Sequence, residues 1–188
     1  MLSQSSQIRK TSGVKHKVFL SYYHRDDQFY RDFFENAFKH LYITKTVQPG
    51  DINTDNSTEY IRRLIREDYI SDASIVIVLV GPKTRCRKHV DWEVSAGLSR
   101  SAGGLSGLVG ILLPEFPLTR DHKYSSSDLP LRLSDNVSTG YASLESWSSI
   151  ASNAEYLTKI LDGAFDRRQT HAGYISNSRQ QMVYNTCE

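Results

Sequence analysis

The chain has 188 residues, of which 39% are hydrophobic and 11% aromatic, which is sufficient for one globular domain with a buried core. A formal net charge of +2 is too small to indicate a nucleic-acid-binding protein, and no apolar run is long enough to cross a membrane. The two cysteines, Cys86 and Cys187, are far apart and match no metal-ligand spacing, so we expect neither a disulfide nor a zinc site, and a reducing, cytoplasmic location.

Residues 1–14 are polar and lack the apolar core of a signal peptide, so we expect the folded domain to span residues 15–166. KVFLSYY, residues 17–23, is a short apolar and aromatic run that is typical of a buried strand. Asp26 and Asp27 can then begin a helix. Its apolar residues follow at helical spacing: Tyr30, Phe33, Phe34, Ala37, Phe38 and Leu41.

Turn-forming residues predict a long loop over VQPGDINTDNS, residues 47–57. The next helix has a predicted buried face of Ile61, Leu64, Ile65 and Tyr69. SIVIVLV, residues 74–80, is a continuous run of mostly β-branched residues, as expected for a strand that is covered on both faces. Gly81 and Pro82 end this strand, and a helix containing Glu93 follows.

The second half continues the alternation. LVGILLP, residues 108–114, predicts another buried strand, and residues 115–140 predict a loop with one short element near residues 129–133. A last strand over residues 141–147 precedes the final predicted helix, and the polar residues 167–188 are expected to form a tail. The final helix has an apolar face of Ile150, Ala154, Leu157, Leu161, Ala164 and Phe165.

This alternation predicts an α/β fold: a flavodoxin-like three-layer sandwich with a central, mainly parallel β-sheet flanked by helices. Ligands of such sheets bind beyond the carboxyl ends of the strands. Ser21, Tyr22 and Tyr23 end the first strand, and GPKTRCRK, residues 81–88, follows the central strand. The cations of this loop precede a helix N-terminus and could hold a pyrophosphate, although a solvated basic loop is the alternative.

A single carboxylate stands out in RKHVDWEV, residues 87–94. On a helical wheel, Glu93 lies at the edge of the apolar stripe, so we expect it to be partly desolvated, ionised and open to the cleft, whereas Trp92 points away from the stripe. His89 shares the helix face of Glu93. The stripe comprises Val90, Val94, Gly97 and Leu98. A surface glutamate at a helix boundary is the alternative.

Several catalytic patterns are absent from the sequence. The first strand is not followed by a Gly-rich dinucleotide fingerprint, and there is no GxSxG elbow, P-loop or pair of histidines at metal spacing. A receiver domain would need a phosphoacceptor aspartate at a later strand end, but SIVIVLVG, residues 74–81, ends without one.

Two motifs resemble those of TIR domains. KVFLSYYHRDD, residues 17–27, is similar to the first strand and turn of these domains, where the pattern F-[IL]-S-[FY]-R-x-x-D occurs. RKHVDWE, residues 87–93, is similar to the segment in which W-x-x-x-E supplies a catalytic glutamate. In overall pattern, residues 17–113 resemble the TIR-like group that produces the signal in the Thoeris anti-phage system.

The resemblance implies an enzyme that cleaves the nicotinamide–ribose bond of NAD+, which is its substrate and not a resident cofactor. The product would be ADP-ribose or a cyclic or modified form that acts as a messenger for a separate effector protein. Assembly into a homo-oligomer on activation and a phage-derived trigger are also implied. The alternative is a non-catalytic TIR-type interaction module, which a missing glutamate would favour. We expect no nucleic-acid or membrane partner.

Carried over by position, Glu93 would be the catalytic glutamate, and Ser21, Tyr22 and Asp26 would line or support the nicotinamide-ribose pocket. Residues 47–57 match the mobile loop over that pocket.

The residues themselves suggest that Tyr22 or Tyr23 could stack on a substrate ring and that Arg85 or Lys83 could meet phosphates.

Two positions depart from the family pattern. His89 stands where the motif has tryptophan, and Tyr23 stands where many TIR domains have arginine. Trp92 cannot replace the motif tryptophan, because neighbouring side chains on a helix diverge by about 100°. We nevertheless include His89 among the predicted substrate-binding residues.

Overall fold

The computed structural model describes residues 15–45, 58–100 and 103–187. Its centre is a five-stranded, fully parallel sheet in the order β2-β1-β3-β4-β5. The strands are β1 (His16–Ser21), β2 (Tyr42–Lys45), β3 (Ile75–Val80), β4 (Gly107–Leu112) and β5 (Ala142–Ser146). The helices are α1 (His24–Phe38), α2 (Thr58–Leu64), which continues as a π-helical segment (Ile65–Ile70), α3 (Lys88–Gly97), α4 (Leu131–Ser138), α5 (Trp147–Ile150) and α6 (Ala154–Thr170).

Strand β3 lies between two hydrophobic layers, one on each face of the sheet. Val76, Val78 and Val80 pack with the apolar residues of α2, α3 and α4. The alternate residues of the strand pack with α1, α5 and α6 on the other face. All six residues of β3 are buried, which explains why the sequence shows no alternation there. The predicted three-layer α/β fold with a parallel sheet is therefore confirmed.

Strand β2 was not predicted. It pairs in parallel with β1, from His16 opposite Tyr42 to Phe19 opposite Lys45, and forms one edge of the sheet. Its four residues are too few to show a strand period, and they directly follow the apolar face of α1. Tyr42 anchors the strand in the core on the α1 side.

Helix α6 continues to Thr170, so the predicted domain end at residue 166 falls inside a helix. Residues 175–187, which we call the C-terminal strap, then run back along α3. Met182 N–H donates to the Asp91 carboxylate at 2.8 Å. Lys88 N–H donates to Asn185 Oδ1 at 3.0 Å. The strap thus lies along α3, where we had expected an unattached tail.

Cys86 and Cys187 form a disulfide that ends the strap. The expectation of no disulfide is therefore wrong. The two cysteines are 101 positions apart in the chain, so their spacing does not reveal the pairing. The path of the strap along α3 brings them together. Within the described residues, no helix is long and apolar enough to span a membrane.

Candidate active site

The candidate site lies where the chain reverses its direction of winding. From β1 the chain enters α1 on one face of the sheet, and from its neighbour β3 it enters α3 on the other face. Such a switch point opens a crevice at the carboxyl ends of the two strands. Ser21, the last residue of β1, lies at this edge and is in register with Val78 of β3.

Ser21 and Glu93 meet in this region. Ser21 follows Phe19 by two residues and so faces α3, because alternate residues of a strand share a face. Its Oγ donates a hydrogen bond to Glu93 Oε2 at 2.5 Å. Both side chains are buried, and Glu93 is only 6% exposed. Two residues that lie 72 positions apart thereby form one polar pair inside the domain.

The burial of Glu93 changes its chemistry. Desolvation raises the pKa of Glu93 to about 8, while the hydrogen bond from Ser21 acts in the opposite direction. The expected ionised and partly open carboxylate is therefore corrected: the resting carboxyl group retains its proton at neutral pH. The physical reason is that every residue from Val90 to Gly97 of α3 is buried, so the helix has no single apolar stripe with an exposed margin.

The other predicted residues of the first strand end do not all join this pair. Tyr22 belongs to the core on the α1 side, where its hydroxyl donates to Gln28 Oε1 at 2.9 Å. Tyr23 precedes α1 and lies beneath the Arg87 guanidinium, whose central carbon is 3.9 Å from the ring centroid. Asp26 is exposed in the first turn of α1.

Two cations of the basic loop, Arg85 and Arg87, are directed to different partners. Arg85 is directed towards the segment before α4, where it donates to the Ser127 carbonyl oxygen at 3.0 Å and lies 3.7 Å from the Asp128 carboxylate. Arg87 instead stacks on Tyr23, is 9% exposed, and has buried Nε and Nη2 atoms without a hydrogen-bond partner. Arg87 is therefore the buried guanidinium beside the first strand end.

His89 and Trp92 pack against each other on α3, with ring centroids 5.0 Å apart. Burial, followed by the charges of Lys88 and His24, lowers the pKa of His89, so its imidazole is neutral at pH 7. Trp92 is 1% exposed, and its Nε1 donates to the Met182 carbonyl oxygen at 2.8 Å. Trp92 does not point outside the core as expected, because α2 and the C-terminal strap cover this side of α3.

Asp27 is a buried carboxyl group whose position the sequence analysis missed. It is 4% exposed, and desolvation raises its pKa to about 6. Thr84 Oγ1 donates to its Oδ2 at 3.1 Å, and a Cβ atom on Gly81 would overlap its carboxylate. Asp27 lies seven residues before Phe34, so the helical period of α1 already places it on the buried face.

The remaining predictions concern a loop and metal binding. The predicted loop over residues 47–57 lies outside the described residues. In the part of the chain that the structure describes, no group of three or more His, Cys, Asp or Glu residues is arranged to hold a metal ion. The described polar groups that follow β1 and β3 include the Ser21–Glu93 pair, Asp27 with Thr84, and Arg87 on Tyr23.

One comparison with known proteins, the match to a family model, agrees with the motifs. Residues 19–115 match the sequence model of the family described as Thoeris protein ThsB, TIR-like domain. Among solved structures, the chain is similar to one described as the activated Roq1 resistosome directly recognizing the pathogen effector XopQ (TIR domains). That match has a TM-score of 0.37 and 13% identity, and covers 85% of this chain and 84% of that chain. No curated protein gives a significant match. Because the family match spans just over half of the 188 residues, from β1 to beyond β4, the chain belongs to the ThsB TIR-like domain family of the Thoeris anti-phage defence system.

Proposed function

We propose that this protein cleaves the nicotinamide–ribose bond of NAD+ in the cytoplasm and releases a cyclic or modified ADP-ribose messenger during anti-phage defence. The observation that supports this proposal is the buried Ser21–Glu93 pair at the carboxyl edge of the sheet. A buried carboxyl group with a strongly shifted pKa at a topological switch point is a typical feature of a reaction centre.

The reaction requires an anion and no general acid. Nicotinamide leaves NAD+ as a neutral molecule, so the leaving group does not need a proton. Positive charge develops on the ribose as the bond breaks, as in glycoside hydrolysis. A carboxylate close to this charge, in a site that excludes water, stabilises the transition state more than it stabilises the ground state. We assign this role to Glu93.

The raised pKa of Glu93 is compatible with this role. The substrate carries a positive charge on its nicotinamide ring, and a nearby positive charge favours the ionised form of a carboxyl group. Binding of NAD+ would therefore lower the pKa of Glu93 and release its proton before the bond breaks. The Ser21 hydroxyl, which already donates to Glu93 Oε2, would stabilise the resulting carboxylate.

We assign the surrounding residues to substrate binding and support. Tyr23 and Arg87 form a stacked pair beside the first strand end, and we assign the Arg87 guanidinium to the pyrophosphate. Tyr22 would hold the turn between β1 and α1 through its bond to Gln28.

Three further residues complete the assignment. We propose that Asp26 supports the first turn of α1 near the substrate and that Arg85 approaches the phosphates after releasing Ser127. His89 would contribute to substrate binding as a neutral imidazole, since burial lowers its pKa.

The proposal also defines partners. A second copy of the chain would join on activation, and a phage-derived trigger would start the reaction. The messenger would diffuse to a separate effector protein. We propose no nucleic-acid or membrane partner.

The decisive experiment compares nicotinamide release from NAD+ by the wild type and by Glu93→Gln, with and without phage lysate, using mass spectrometry. Loss of a charge-stabilising group at a reaction centre predicts a decrease of about 100-fold or more. Glutamine has the shape of the protonated acid and can still accept from Ser21, so the fold is expected to persist. Glu155→Gln, on the exposed surface of α6, is the matched control and should retain full activity. Equal release by wild type and Glu93→Gln would overturn the role of Glu93.

The burial of Glu93 also favours one alternative, a non-catalytic interaction module in which the carboxyl group is only structural. This alternative predicts no nicotinamide release by the wild type with any phage lysate. It also predicts that Glu93→Gln leaves the defence of cells against phage unchanged. Protection that is lost in Glu93→Gln but kept in Glu155→Gln would contradict it.

A further inference from the structure

We propose that a pocket between α2, α3 and the C-terminal strap binds a small phosphate-bearing anion. The pocket has a volume of about 140 Å³ and contains neither Ser21 nor Glu93. Its lining includes residues from all three elements: Glu59, Arg62, Arg63, Arg66, Trp92, Ser95, Ala96, Ser99 and Gln181. This proposal does not depend on NAD+ cleavage, because it concerns other side chains on the far side of α3.

The charge of the pocket favours an anion. Arg62, Arg63 and Arg66 contribute three guanidinium groups and Glu59 contributes one carboxylate, while Glu67 pairs with Arg66 at 3.3 Å from outside the lining. Arg62 and Arg66 are four residues apart, and like charges at this spacing on a helix repel each other. An oxyanion between them would replace this repulsion with attraction. The excess of positive charge is therefore a cost in the empty pocket and a source of affinity in the occupied one.

Arg62 is held in place and has an unused hydrogen-bond donor. Its guanidinium lies over the Trp92 ring at 4.7 Å from the centroid, and its Nη2 donates to the Met182 carbonyl oxygen at 3.3 Å. Its Nε atom is buried and has no hydrogen-bond partner. A buried donor of a charged group without a partner is costly, so Arg62 keeps unsatisfied hydrogen-bonding capacity beside the pocket.

Trp92 gives this pocket a rigid wall. The indole is fixed by its hydrogen bond to Met182 and by its contact with His89. The Arg62 position is consequently set before a ligand arrives, which lowers the entropic cost of binding. Because Gln181 of the strap also lines the pocket, a bound anion would connect the strap to α2.

The size and donors of the pocket define the ligand class. A volume of about 140 Å³ accommodates a phosphate group. Guanidinium groups bind phosphate oxygens through paired, charge-assisted hydrogen bonds. The expected ligand is thus inorganic phosphate or the terminal phosphate of a small metabolite.

The test is an NMR titration of the full chain with inorganic phosphate at constant ionic strength, maintained with chloride. The chain has two tryptophans, so the indole N–H signal of Trp92 reports on the pocket and that of Trp147 is an internal control. We expect a saturable shift of the Trp92 signal only. Arg66→Gln should weaken phosphate binding by about tenfold or more. Arg120→Gln, an exposed arginine outside the pocket, should bind as the wild type does.

Three results would overturn the proposal: no saturation of the Trp92 shift, the same shift with chloride alone, or equal binding by Arg66→Gln and Arg120→Gln. Arg66 is exposed and pairs with Glu67 at 3.3 Å, so its substitution leaves the core intact. Nicotinamide release is measured separately, so failure of this site and failure of the proposed activity are distinguishable.

Discussion

At the scale of one residue, the burial of Glu93 lowers the stability of the folded protein, although the same burial places the carboxyl group where its proposed role requires it. Its burial keeps the carboxyl group protonated at neutral pH in the resting protein, because desolvation raises its pKa to about 8. An unfolded chain would ionise the same group at its ordinary pKa, near 4.5. The folded state therefore loses stability to the unfolded state as pH rises between these values, a cost that is common at reaction centres.

Glu93→Gln should consequently stabilise the protein in a pH-dependent way. Between pH 4.5 and about 8 the native wild type binds more protons than its unfolded chain, so its free energy of unfolding falls with rising pH. Glutamine does not titrate, so the stability difference between variant and wild type should widen over this range, by a few kcal/mol in order of magnitude, and then level off. Urea denaturation at a series of pH values measures it. A stability difference that does not change with pH would contradict the raised pKa of Glu93.

Ser21→Ala should move the pH dependence of nicotinamide release. The Ser21 hydroxyl lowers the pKa of Glu93, so its removal raises that pKa. If the carboxylate is the active form, the rising limb of the rate-pH curve shifts to higher pH, and the rate at neutral pH falls. Initial rates across a pH series give the shift. Ser148→Ala, an exposed serine, is the control and should reproduce the wild-type curve.

At the scale of one element, helix α3 shows which features the sequence predicts and which it does not. The strand β3 and the position of Glu93 at the sheet edge follow from the apolar run and the residues after it. The helical wheel failed for Trp92 because it assumes that one face of a helix meets solvent. Here α2 and the strap cover that face, and the strap residues that contact α3, such as Met182 and Asn185, are polar or isolated in sequence. Long-range contacts of this kind leave no local period.

The contact between β4 and α6 can be tested with a pair of glycine substitutions. A Cβ atom on Gly107 would overlap the carbonyl oxygen of Ala164, which is backbone and cannot rotate away. Gly107→Ala should therefore destabilise the fold by about 1–3 kcal/mol. Gly163 lies in the same helix with its nearest neighbour at 3.5 Å, so Gly163→Ala should stabilise by about 0.5–1 kcal/mol. Thermal unfolding should show a lower melting temperature for Gly107→Ala and a higher one for Gly163→Ala. A change in the same direction for both variants would contradict the packing.

The C-terminal strap determines the behaviour of the whole molecule. Its hydrogen bonds reach Lys88, Asp91 and Trp92 along α3, and the disulfide fixes its end to Cys86. Cytosolic disulfides are usually transient. In a reducing compartment the strap would be held by its non-covalent contacts alone. We therefore expect the protein to be less stable there than in an oxidising compartment, although its non-covalent contacts are the same.

Cys187→Ser should lower the free energy of unfolding by about 2–5 kcal/mol, because a cross-link over a long loop restricts the unfolded chain. The midpoint of urea denaturation measures the loss. Dithiothreitol should bring the wild type to the same midpoint and should leave Cys187→Ser unchanged. A wild-type midpoint that does not respond to the reductant would contradict the contribution of the disulfide.

The Cys86–Cys187 bond divides the chain into a covalent ring and a linear arm. The ring contains α3, β4, α4, β5, α5 and α6, whereas β1, α1, β2, α2 and β3 belong to the arm. Ser21 therefore lies on the arm and Glu93 in the ring. The bond between their side chains forms only when the arm is docked against the ring. The cross-link therefore preserves the ring through unfolding but does not preserve the Ser21–Glu93 pair.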